Sequence, residues 1–164
     1  MCTQSERPLM LTIKPHHFMD IIKLHGAGLD AFVPDTAYGH AFYQVGNCIL
    51  QNHAVPMRLT LGCDDICAPC KYKSAANGAC TDTLLDLPGY TQKEAYNQML
   101  DARIVQILHL DLEKPYTAEA FCALLAQHTD LVFAVWDIEP SHTTQHRHTL
   151  FCAGCKRYLR ANAQ

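Results

Sequence analysis

The chain has 164 residues, 49% hydrophobic and 18% charged, with a formal charge of -3; that is enough for one domain with its own core. A pI near 6.3 gives no electrostatic reason to expect nucleic acid, and a mean hydropathy of -0.07, without an apolar run near the roughly 18 residues of a span, speaks against membrane embedding. The start lacks a basic-then-apolar secretory pattern, so the expectation is a cytoplasmic single domain, residues 1–8 a flexible lead, whose nine cysteines serve as metal ligands, redox thiols or small hydrophobes rather than disulfides.

Leu9 to Ile13 reads as a short strand. Pro15 suits a first helical position, and Phe18, Ile21, Ile22 and Leu24 supply an apolar face until Gly26-Ala27-Gly28 stops the helix. Asp35 is placed to cap a second helix carrying Tyr38, Phe42, Val45, Ile49 and Leu50. Met57 to Leu61 alternates apolar and polar side chains, a half-buried strand that delivers the chain into Gly62 and a cysteine loop. Asn77-Gly78 marks a reversal just before Cys80. Thr91 and Glu94 form a capping-box pattern for a helix to about His109, and Thr117 caps another to about His128. Leu131 to Trp136 reads as either a buried strand or a helical turn. Ser141 to Arg160 is expected to be helical in its second half, with the basic run Lys156-Arg157-Tyr158-Leu159-Arg160 offsetting the helix dipole. These elements predict an α+β, helix-rich domain in which a small sheet or strand pair supports the cysteine loop.

That loop carries the chemistry. Cys63, Cys67, Cys70 and Cys80 fall within 18 positions, among Asp64, Asp65, Lys71 and Lys73. Four thiols in so polar a stretch cannot all be core residues, whereas thiolates on a Gly/Pro-broken loop can converge on a metal. A structural zinc site pairs two short knuckles; a C-x3-C-x2-C run with one remote cysteine is more natural for a [4Fe-4S] cluster. The triplet also resembles that of radical S-adenosylmethionine enzymes, but the strand-helix repeats of their partial barrels do not follow it.

Cys152 and Cys155 form a second pair, on one helical face with His148. Either they are small buried residues, or one reaches the main loop, or they make a separate zinc or redox site with His148 or His146. His16 and His17 follow Pro15; adjacent helical residues point apart, so the two are not expected to act on one target, and a hydrogen-bonded core or capping role is the plainer reading. Asp20, one turn on, is able to orient an imidazole or reach a metal. Cys2, Cys48 and Cys122 have no companions in sequence.

The start Lys14-Pro15-His16-His17-Phe18-Met19, the element Asp64-Asp65-Ile66-Cys67-x-x-Cys70 with Cys80 after it, and Cys152-x-x-Cys155 together resemble a bacterial and archaeal domain-of-unknown-function family described as candidate iron-sulfur-binding proteins. The resemblance runs along most of the chain, and it implies a role for the His-His start. Two departures stand out. The family often has a cysteine where this chain has Asp20, and often lacks one at Cys63. Either Cys63 has taken over as a ligand and Asp20 is free as an acid or base, or Asp20 replaces a thiolate.

The expected function is therefore an iron-sulfur protein, most naturally [4Fe-4S], with Cys67, Cys70 and Cys80 as ligands, Cys63 as the fourth and Cys155 or Cys152 as its rival. Four thiolates imply electron transfer with a redox partner protein; three leave an iron open to a small-molecule substrate, for dehydratase- or desulfurase-type chemistry with His17, Asp20 and His16 as proton carriers. The alternative is a zinc protein whose fixed loop binds a partner.

Overall fold

The computed structural model describes residues 10–161; Cys2 and the lead expected at residues 1–8 lie outside them. The described chain is α+β. β1 (Leu11–Ile13) pairs in parallel with β2 (Pro56–Leu59), and β3 (Tyr116–Thr117) pairs antiparallel with β2, giving the order β1-β2-β3. The register sets Leu11 against Met57 and Ile13 against Leu59. All four are buried, so one face of the sheet is core.

α1 (Pro15–Gly26) starts on a proline, whose missing N–H costs nothing in a first turn, and buries Phe18, Met19, Ile21 and Ile22. α2 spans Phe42–Gln51, later than expected. Asp35 spends its carboxylate on a tight local turn instead, accepting from the N–H groups of Ala37 (2.9 Å) and Tyr38 (3.2 Å). α3 spans Lys93–Leu108, and the Thr91/Glu94 box does not form. Gln92 is its N-cap without a side-chain bond, because Glu94 reaches outward to accept from the N–H of Cys80 at 2.7 Å.

α4 (Ala118–Ala126) is capped as expected, the Thr117 hydroxyl accepting from the Ala120 N–H at 3.1 Å. Thr117→Ala is expected to cost about 1 kcal/mol, read as a lower urea midpoint at unchanged slope. The ambiguous run resolves as the short helix α5 (Leu131–Val135). α6 covers the whole of Ser141–Arg160, longer than the half anticipated. None of these helices is long and apolar enough to cross a membrane.

α6 packs on α1 at two glycines. A Cβ on Gly154 would lie 1.9 Å from the Ile22 carbonyl oxygen, and one on Gly26 would lie 1.9 Å from that of Leu150. The two backbones therefore touch. Beyond this crossing, the Tyr158 hydroxyl donates to the Ile49 carbonyl at 2.8 Å and Arg157 to that of His25 at 2.7 Å. One end of α1 is thus fixed by α6; the other points at the cysteine loop.

Candidate metal centre

The two aspartates ahead of Ile66 fasten the loop to the sheet. Asp65 accepts from the Thr12 N–H at 2.7 Å and returns its own N–H to the Thr12 carbonyl at 3.0 Å. Asp64, 2% exposed, gathers three donors. Its Oδ2 accepts from the Lys14 N–H at 2.9 Å and from His17 Nδ1 at 2.7 Å, and its Oδ1 from the Cys67 N–H at 2.9 Å. Burial alone would raise this carboxyl, but the imidazole and the two N–H groups outweigh it and hold it well below the usual range. Ile66 plugs into the core, with its carbonyl bonded to the Ala41 N–H at 2.9 Å.

From there the chain turns, Cys70 N–H to Cys67 carbonyl at 3.0 Å, and runs into a reversal over residues 73–80. Gly78, with φ +73°, supplies the left-handed residue that the sequence signal called for. Cys67, Cys70 and Cys80 all line a cavity of about 20 Å³ with Lys14, Lys73 and Gly78. Cys63 lies beside it, its β-carbon 3.5 Å from where a side chain on Gly78 would begin. The structure therefore brings the four loop cysteines to one place.

Lys14 makes this place unusual. It is 2% exposed, and among the described residues its ammonium has one side-chain partner, Cys67 Sγ at 3.8 Å. Burial would lower its pKa, but Cys67 and the carboxylates of Asp64, Glu94 and Asp101 outweigh that, and it stays charged. Burial, reinforced by Asp64 and opposed by Lys14, pushes the Cys67 thiol up to about 12. As a free thiol Cys67 is protonated at neutral pH, so a metal must displace that proton.

His17, Asp64 and Cys67 present ligand atoms within 4.8 Å of one another, close enough to hold a metal ion. His17 also looks the other way. Together with His16, Asp20, Asn97 and Arg147 it lines a second cavity, of about 290 Å³, between α1, α3 and α6. His16 is anchored there by Asp101, which is fully buried and accepts from both the His16 N–H (2.8 Å) and its Nδ1 (2.9 Å). Asp20 pairs with Arg147 at 2.9 Å and Lys23 at 3.2 Å; burial would raise its carboxyl, and these cations with the two histidines hold it below its ordinary value.

The rival ligands are placed elsewhere. From His17 to Gly26, α1 climbs about 14 Å, and Cys152 and Cys155 flank Gly154 at the far end. Cys155 is buried and hydrogen-bonded to Cys122, whose thiol that bond and burial push far up. Cys152 lies 3.5 Å from His148 Nε2. Both cysteines are thus at the α1–α6 crossing because the close glycine contact draws their stretch of α6 there. Asp20 likewise faces the larger cavity and is not among the residues lining the thiol one.

Sequence reading missed Lys14, Asp64 and Asp101 as working residues. The Asp64-Asp65 doublet was visible as a motif, and its anchoring duty was legible in its position after a strand end. Asp101 gave no local signal, since its partner is 85 residues away. No protein-family model, curated protein or solved structure matches this chain, and the geometry of the site carries the functional reading by itself.

Proposed function

We propose that this is an iron-sulfur protein whose [4Fe-4S] cluster is held by Cys67, Cys70 and Cys80, with Cys63 as the fourth ligand. The observation that carries the reading is the buried Lys14 ammonium in the wall of a cavity lined by three thiols. No carboxylate among the described residues comes within ion-pair distance of that ammonium, its one side-chain partner is Cys67 Sγ at 3.8 Å, and a net-negative thiolate-metal group is the close counter-charge that would suit it.

The spacing of the thiols favours a cluster over zinc. Sulfurs on one tetrahedral zinc sit about 3.8 Å apart, and no three thiols among the described residues all lie within 4.8 Å of one another. The cavity itself is small, about 20 Å³, so any such group seats only as side chains turn aside. With Cys63 bound, the group is closed and suits electron transfer to a redox partner; without it, one position is open to a substrate.

A second reading has its own observation. His17, Asp64 and Cys67 are close enough for a single ion, which fits a structural zinc that fixes the loop for a partner.

Anaerobic purification with iron, zinc and acid-labile sulfide analysis separates the two. The cluster reading expects a brown protein containing iron and sulfide in equal amounts, bleached on reduction, and loss of both in Cys67→Ser and Cys80→Ser. A colourless protein, iron-free even after reconstitution and holding one zinc, would sink it.

A further inference from the structure

The larger cavity contains a feature that the thiol centre does not use. Both imidazoles in its wall are held from behind. His16 Nδ1 is fixed by Asp101 at 2.9 Å and His17 Nδ1 by Asp64 at 2.7 Å, and both carboxylate side chains are 0% exposed. Each pairing assigns the ring proton to Nδ1 and leaves a lone pair on Nε2. Neither Nε2 has a hydrogen-bond partner among the described residues, and neither belongs to the fully buried unpartnered atoms. His16, 93% buried at its side chain, lines the cavity.

A third acceptor is at hand on the same helix. Asp20, one turn from both histidines, uses its Oδ1 for Lys23 and Arg147, and its Oδ2 has no partner among the described residues. Of the donors in the wall, Arg147 Nη1 is committed to Asp20 and the Tyr96 hydroxyl to Glu139, while Arg147 Nε is buried with no partner among the described residues. Two imidazole nitrogens and a carboxylate oxygen that lack donors on one wall of α1 suit a cation. Imidazoles whose Nδ1 is locked by a carboxylate and whose Nε2 is free are arranged as metal-ligating histidines are, with the carboxylate orienting the ring and raising its basicity.

We propose that His16 Nε2 and His17 Nε2 bind a divalent transition-metal ion such as zinc or ferrous iron in this cavity, with Asp20 as the third, carboxylate contact. The three ligand atoms do not all lie within 4.8 Å of one another, so Asp20 reaches the ion through a water or by turning about its own side chain. Two imidazoles and one carboxylate leave coordination positions open, and about 290 Å³ of space admits a small molecule to them. His17 lines this cavity and not the thiol one, so the site is separate from a cluster held by the four cysteines, whereas a single ion on His17, Asp64 and Cys67 would compete with it for His17.

Cobalt(II) is the probe, because thiolate ligation produces intense near-ultraviolet charge-transfer absorption and imidazole or carboxylate ligation does not. Full-length protein with its thiol centre filled is titrated with Co2+ and followed optically and by calorimetry, with circular dichroism to check each fold. The expected result is one Co2+ with weak visible bands and no new thiolate absorption. Binding should be lost in His16→Gln, weakened about 10- to 100-fold in Asp101→Asn, which removes only the orienting carboxylate, and unchanged in His148→Gln. Absence of that Co2+ from folded wild type, or its survival at full affinity in folded His16→Gln, overturns the proposal while leaving the iron and sulfide result on the thiol centre untouched.

Discussion

Gly154→Ala is expected to destabilise the protein by about 3 kcal/mol or more, although alanine is the better helix former. In an open helix this exchange gains about 0.5 to 1 kcal/mol. Here the new methyl would sit 1.9 Å from the Ile22 carbonyl oxygen and 2.8 Å from its carbonyl carbon, and those atoms belong to a helix backbone that cannot swing aside. The steric term exceeds the propensity term several-fold, so α6 must lift off α1. Against a typical total of about 5 to 15 kcal/mol, that loss is large. Urea denaturation of the metal-free chain measures it. A midpoint equal to or above wild type would show that the helices do not meet at these glycines.

Asp64→Asn should destabilise to a similar or greater degree, by about 3 to 5 kcal/mol. The amide keeps the shape but turns one acceptor into a donor that faces the Lys14 N–H and His17 Nδ1. It also removes the charge that faces the Lys14 ammonium. The pH dependence discriminates this from a simple packing defect. In metal-free wild type, His17 is held neutral, its pKa lowered by burial and by the neighbouring His16, so the unfolded chain binds a proton that the folded one does not. Stability therefore begins to fall as pH drops through about 6.5. Asp64, whose folded pKa is depressed, contributes stability that is present above about 3.9 and lost as pH falls further. Asp64→Asn should retain the first loss and shed much of the second. An acid limb as steep as that of wild type would remove Asp64 from this role.

The parts of the fold written in local signals were legible. Pro15 and Gly28 bracket α1, Thr117 caps α4, and the alternation around Met57 marks β2. Misreadings arose where a polar side chain had two possible partners. Asp35 and Glu94 each carry a helix-capping signature, yet one closes a turn and the other holds Cys80. Nothing within a few residues of either decides between such uses, because the competing partner is brought in by the tertiary fold.

The candidate site divides in the same way. Cysteine spacing announced the loop, and the structure gathers Cys63, Cys67, Cys70 and Cys80 around one small cavity. The electrostatic setting was hidden, since Lys14 and Asp101 are ordinary residues until residues far along the chain pack against them. Of the alternatives open to the Cys152/Cys155 pair, the structure sets it apart from the loop: Cys155 is buried against Cys122, and Cys152 lies 3.5 Å from His148 Nε2.

The α1–α6 crossing also bears on when the site can be completed. α1 presents His16 and His17, but its position depends on glycine contacts with residues more than a hundred places later, and Arg147 closes on Asp20 across 127 residues. During synthesis at about 5 to 20 residues per second, the cysteine loop therefore emerges several seconds before α6 exists to steady the helix beneath it. Its thiols spend that interval unsheltered, and on the proposed reading metal loading would follow the making of α6. On that reading the metal would be delivered to the finished fold rather than to the nascent chain.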